Sequence, residues 1–356
     1  MGLISHDVFN FRNLHQAHID PGAGLNLITG PNASGKTSLL ESIFYLSYGR
    51  SFRNAQVRDL IEYQQDYFRL ISKITADDRI SHLGIEKSPH QQKIKLNKEP
   101  VTRLTDLSLL LPVVAIHPDS HHLISAGPDN RRQYMDWGVF HVEHSFLHDW
   151  KTYKTALSQR NAALRTQQPD KLCQLWNPVL IESAEAINRA RSHYLERLNH
   201  QINHFSSFLF PESTIDINYR KGWVQELDLA AILHDQLDRD KQKGFTQHGP
   251  HRADLKITVD GKSAQTSISR GQQKKLVALL KLSQMNLFLN DSDKTCVLLY
   301  DDLPAELDAA NQTILMELLS AMNVQAFISA INISQLTLDS WSSVKMFHVE
   351  QGEISV

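Results

Sequence analysis

The chain has 356 residues, 41% of them hydrophobic, more than one core usually fills, so one large domain carrying a smaller one, or two of similar size, is expected. Lys and Arg number 37 against 39 Asp and Glu; the net charge of −2 excludes a globally basic nucleic-acid binder and confines any DNA contact to a local patch. Cys173 and Cys296 lack metal-ligand spacing, no basic segment followed by an apolar run opens the chain, and no run of about 18 apolar residues exists, so a cytoplasmic protein without a membrane span is expected.

The opening reads as strands, with apolar residues from Leu3 to Phe9, a turn at Pro21 and Gly22, and Leu25, Leu27 and Ile28 running into Gly30. A helix is expected to begin near Lys36. Ile71 to Glu86 alternates as strands do, and Leu107 to Ile116 reads as a helix end followed by a buried strand, closed by His117 and Pro118. The texture then turns helical. Leu180, Ala184, Ile187, Arg191, Tyr194, Leu198, Ile202, Phe205 and Leu209 fall at steps of three and four, a mostly apolar stripe that Pro211 ends. The stripe is too short, and Pro169 and Pro178 too near, for a long coiled coil, so a compact helical insert is expected. Strand alternation returns at Asp254 to Val259 ahead of an Asp260-Gly261 hairpin signal. A helix from Gln272 to Leu289 follows, then a strand (Val297 to Tyr300), a helix (Asn311 to Met322), a strand (Val324 to Ile328) and a closing hairpin from Val344. This alternation predicts an α/β core.

Gly30-Pro31-Asn32-Ala33-Ser34-Gly35-Lys36-Thr37 matches the Walker A pattern between an apolar strand and a helix. Glycines let backbone N–H groups turn onto phosphate oxygens, the helix N-terminus adds its positive end, Lys36 neutralises the outer phosphates, and the Thr37 hydroxyl suits magnesium. With Ser38, these residues form the expected ATP-binding loop. Val297-Leu298-Leu299-Tyr300-Asp301-Asp302 has the form of Walker B: a buried strand delivers Asp301 to the magnesium ion and Asp302 to the attacking water. Taken alone, that segment also reads as an apolar strand ending in a solvated acidic turn.

Ser269-Arg270-Gly271-Gln272-Gln273 stands just before a helix and ahead of the Walker B strand, where ATP-binding-cassette ATPases carry their signature. Here the chain resembles the RecF family of recombination-mediator ATPases, related to the heads of chromosome-maintenance proteins. The likeness runs through Asn10-Phe11-Arg12-Asn13, Gly49-Arg50-Ser51-Phe52-Arg53, Arg131-Arg132, Asp136-Trp137, Gln159-Arg160-Asn161, Gly249-Pro250-His251-Arg252 and Glu306-Leu307-Asp308. It implies a cassette-like head with mixed β-sheets interrupted by a mainly helical arm, with divisions expected at 1–115, 116–244 and 245–356. It further implies that Ser269 and Gly271 meet the γ-phosphate of ATP held by a partner copy, that Gln272 is among the nucleotide-binding residues, that Arg12, Asn13 and Arg53 lie near the nucleotide, and that Asp308 lines the dimer seam. Arg270 replaces the usual signature glycine and Asp302 the usual glutamate, a shorter reach to water. His117-Pro118-Asp119 stands for the glutamine loop and Ser329 for the switch histidine.

By the same resemblance, the chain is expected to form an ATP-dependent homodimer on single-stranded, gapped or junction DNA, and with RecO and RecR to promote RecA loading in repair and the SOS response, hydrolysing ATP slowly. The alternatives are an ATPase subunit of a membrane transporter, against which the helical insert and the missing switch histidine speak, and a chromosome-tethering head, for which no long coiled coil is encoded. Arg131 and Arg132 fit a solvated or ion-paired face better than a phosphate contact. His121, His122, His141, His144 and His148 lack a set of metal partners.

Overall fold

Strands with period-two burial and strands buried on both faces segregate into different sheets in this chain. The structure, a computed structural model, describes residues 2–356 except Asn54, Asp77, Asp78, Gln225, Asp293, Asn323, Ser334 and Gln335. It divides into two compact units, Met1–Ser120 with Arg270–Val356, and His121–Ser269.

In the first unit, with strands numbered in chain order, β1 (Gly2–Phe11), β2 (Leu14–Ile19), β4 (Phe68–Ala76), β5 (Arg79–Lys87), β6 (Gln92–Leu96) and β7 (Glu99–Pro100) form an antiparallel sheet. Their order is β2-β1-β4-β5-β6-β7. On β4, Phe68, Leu70 and Ile74 are buried while Arg69, Ile71 and Lys73 are exposed, the one-sided pattern such a sheet needs. The second sheet comprises β3 (Leu25–Thr29), β8 (Val113–Ile116), β12 (Cys296–Tyr300), β13 (Val324–Ala330), β14 (Val344–Glu350) and β15 (Glu353–Ser355), in the order β15-β14-β3-β13-β12-β8. All its neighbours run parallel except the closing β14–β15 hairpin. Its central strands β3, β13 and β12 and the edge strand β8 are buried along their whole length, as a parallel sheet covered on both faces requires.

The helix Lys36–Tyr48 packs against both sheets, which explains why every residue from Ser38 to Ser47 is buried and the helix has no solvated face there. His6 of β1 ties this layer together: its ring nitrogens lie 2.9 Å from Ser72 Oγ on β4 and 2.8 Å from Ser42 Oγ on the helix. Burial pushes this imidazole down to about 3, so it is neutral at physiological pH.

The second unit is built on the helix Asn177–Leu209, whose buried positions include the whole sequence-predicted stripe from Leu180 to Leu209. The fully buried Arg191 in that stripe pairs with Asp136 (2.9 and 3.0 Å) and donates to Pro250 O. Arg160 is likewise buried, donating to Asp240 Oδ2 at 2.8 Å and Thr246 Oγ1 at 2.6 Å. Arg131 pairs with Asp254 through two bonds, and Arg132 donates to Ala253 O, so these arginines hold the unit together as the ion-paired reading expects.

One expected boundary shifts. The resemblance puts residues 245–269 in the head, but β10 (Asp254–Val259) pairs along its full length with β9 (Ile215–Arg220) and turns at Asp260-Gly261 into β11 (Lys262–Ser263). That three-stranded sheet places the segment in the second unit, whose first residue is His121 rather than 116. Among the described residues no helix is long and apolar enough to cross a membrane.

Candidate nucleotide site

Parallel strands deliver their following loops to one edge, and here β3 and β12 flank β13, so the loops after Thr29 and Tyr300 meet beside Ser329. The loop after β3 turns through positive-φ backbone at Gly30, Ala33 and Gly35. Gly30 has φ of 146°, and a Cβ there would come within 2.0 Å of Val349 O; Gly35, with φ of 124°, starts the helix Lys36–Tyr48 without a side-chain cap. The first N–H groups of that helix therefore face the loop's concavity, an arrangement that attracts anions. Ser34 Oγ is buried there with no hydrogen-bond partner among the described residues, as a phosphate-facing hydroxyl would be.

A cleft of about 540 Å³ opens at this point, lined by Asn32 through Ser38, by Arg12, Asn13, Arg53, Asp59 and Ile61, and by Asp301 and Asp302. Gly30 and Pro31, also expected to bind the nucleotide, are not among the lining residues; their carbonyls accept from Lys36 Nζ at 2.7 and 2.8 Å, which curls the ammonium over the loop. Burial draws the Lys36 pKa below the usual lysine range, against the pull of Asp302 and Asp301. Thr37 Oγ1 lies 3.0 Å from each Asp301 oxygen, joining the two predicted magnesium residues directly. Burial raises the pKa of Asp301, opposed by hydrogen bonds from Ser329 and Thr37 and by the Arg53 charge. Among the described residues no three His, Cys, Asp or Glu side chains form a cation cage. A hydroxyl and one carboxylate beside a phosphate loop are instead the sparse protein ligation that suits magnesium.

Two of the N-terminal residues brace as well as line the site. Asn13 accepts from Ser38 Oγ at 2.7 Å and donates to Ala33 O at 3.3 Å, clamping the loop to its helix. Arg12 makes a bidentate pair with Glu41 (2.6 and 2.9 Å) and donates to Asp59 O. Glu41 is fully buried and also accepts from the Ser51 hydroxyl. Sequence reasoning missed Glu41, although the helix's one carboxylate, set between Leu39-Leu40 and Ile43-Phe44, was the available signal.

Other predicted residues lie elsewhere. Ser269, Gly271 and Gln272 are exposed, and none of them lines the cleft of their own chain. Asp308 caps the helix Ala309–Ser320, accepting from Asn311 N at 2.9 Å. His117 stacks on Phe52 at 4.6 Å rather than facing the cleft, and Ser329 contacts Asp301 and Asp302.

Residues 3–355 match the family model for the RecF/RecN/SMC N-terminal domain. The DNA replication and repair protein RecF of Hydrogenovibrio crunogenus is 38% identical over 348 residues, covering 97% of this chain and 96% of that protein. A solved structure of the recombination mediator protein RecF with ATP, placed in the RecFOR pathway, is 28% identical with a TM-score of 0.87, over 99% of this chain and 97% of that one. An Smc head domain from Pyrococcus furiosus, bound to the C-terminal domain of ScpA, shares the fold at 14% identity and a TM-score of 0.60, over 99% of this chain and 95% of that one. The fold is thus the mixed α/β head expected from the cassette-like motifs.

Proposed function

Because the chain belongs to the RecF family of DNA replication and repair proteins, we propose that its cleft binds ATP with magnesium and that the site is completed by a second copy of the chain. The observation that carries this reading is a division of labour. The phosphate loop, the Thr37–Asp301 pair and Asp302 converge on one cleft, whereas the exposed signature residues Ser269, Gly271 and Gln272 are absent from it. Phosphates fit the loop because its N–H groups, the Lys36 ammonium and the unpartnered Ser34 hydroxyl face one concavity. Bound magnesium would supply charge neutralisation at the outer phosphates, held by Thr37 and Asp301. Asp302 then orients the attacking water; its short side chain suits slow turnover, and hydrolysis works as a switch.

Two chains sharing two nucleotides form a twofold-symmetric dimer, and closing it gathers basic patches that one nearly neutral chain does not offer. On this reading the ATP dimer grips single-stranded, gapped or junction DNA in the cytoplasm, and with RecO and RecR it promotes RecA loading. By linkage, DNA favours the ATP dimer as much as ATP favours DNA binding. Sedimentation with and without ATP, on gapped and intact duplexes, tests this. ATP-dependent dimers that prefer the gapped duplex are expected; a monomer in both nucleotide states would overturn the reading.

A further inference from the structure

Ser329 belongs to β13, one residue past the Tyr300–Ile328 pair, so the parallel register sets it level with Asp301. It is fully buried, and its hydroxyl makes two bonds that are not to its own strand. It donates to Asp301 Oδ1 at 2.8 Å and accepts the Asp302 N–H at 2.8 Å. A hydroxyl has one proton to give, and here it is committed to a carboxylate. The second bond holds the Asp302 backbone, which is left-handed with φ of 54° and ψ of 53°, a conformation that aspartate adopts more readily than most non-glycine residues. Ser329 itself does not line the cleft, whereas both acids it touches do.

Resting on the nucleotide-site reading above, we propose that Ser329 is a positioning residue that sets the two acidic side chains in register through one hydroxyl, and is not a sensor of the terminal phosphate. Asp301 is then oriented from two sides, by Thr37 and by Ser329, and Asp302 is oriented through its own main chain. A serine that merely filled the strand end would bond its own backbone and leave these acids alone.

Ser329→Ala and Ser329→Thr separate the possibilities in the full-length chain. Nucleotide binding is titrated with and without magnesium, magnesium is titrated at fixed ATP, and steady-state turnover and melting are recorded. In Ser329→Ala, magnesium-free ATP and ADP should bind as in the parent, while the half-saturating magnesium concentration rises about tenfold because an outer partner of the ligand is gone. Turnover should fall at least about tenfold with little change in KM, and Ser329→Thr should recover most of it. If the added methyl lowers the melting temperature of Ser329→Thr, the magnesium titration of Ser329→Ala decides alone. Weakened binding of ATP but not ADP would make Ser329 a phosphate sensor and overturn the proposal, as would parent-like magnesium dependence and turnover. A parent chain that binds no ATP would instead remove the nucleotide-site reading, and the proposal with it.

Discussion

Replacing Glu41 by alanine should unfold the head more easily than any loss of packing alone explains. The carboxylate is fully buried on the helix that follows the phosphate loop, and it takes two charge-assisted bonds from Arg12 (2.6 and 2.9 Å) and one from Ser51. Removing one partner of such a pair costs about 3–5 kcal/mol, because the other charge stays desolvated. Arg12 keeps its bond to Asp59 O, and 18% of its side chain reaches solvent, so the lower end applies: about 3 kcal/mol for Glu41→Ala. Arg12→Ala strands the carboxylate instead and should cost a similar amount. The double variant should fall short of the sum by roughly 1–3 kcal/mol, the signature of direct coupling. Urea unfolding followed by circular dichroism reads all three in the transition of the first unit. A loss below about 1 kcal/mol for Glu41→Ala, or strict additivity, would refute the argument that this pair organises the cleft wall.

Lys36→Ala removes the ammonium that curls over the loop and should weaken ATP at least tenfold, about 1.4 kcal/mol, by calorimetric titration. His6 is held at about 3 in the folded chain against about 6.5 unfolded, so the unfolded state binds more protons between those values. The stability this burial provides is full above about pH 6.5 and is lost as pH falls toward 3, by up to ~1.4 kcal/mol per pH unit; His6→Gln should flatten that acid limb in denaturation series at pH 4 to 7. Asp302→Asn should leave nucleotide binding intact but slow both turnover and release from a gapped duplex after an ATP chase, followed by fluorescence. Release at the parent rate with hydrolysis lost would uncouple the two.

Much of the site was legible because its chemistry is local. A Walker A pattern needs glycines, a lysine and a hydroxyl at fixed spacing between strand and helix, and residues 30–37 do run from the end of the strand Leu25–Thr29 into the helix Lys36–Tyr48. Asp301 was legible for a similar reason, as the first acid after a run of buried apolar residues. What escaped depends on pairing between distant segments. Glu41 meets Arg12 from another element, and no periodicity announces that bond. The contacts of Ser329 follow from the register of β13 against β12. The misplaced boundary at 245 has the same origin, since β10 alternates like any strand and only its partner β9 assigns it to the second unit. In the family motif Gln159-Arg160-Asn161, the buried Arg160 bonds Asp240 and the half-buried Asn161 bonds Thr246, while Gln159 is exposed.

The claim that two chains share each nucleotide is tested most directly by mixing two inactive variants. Lys36→Ala lacks the phosphate contact and Ser269→Arg blocks the signature face, so neither should hydrolyse ATP alone. A mixed dimer contains one site with an intact loop from the Ser269→Arg chain and an intact signature from the Lys36→Ala chain. At equal amounts, half the dimers are mixed and each carries one good site of two, so turnover should recover to roughly a quarter of the parent value. Recovery on mixing is the predicted result; full activity of Ser269→Arg alone, or a mixture as inactive as its components although mixed dimers form, would contradict a site completed in trans.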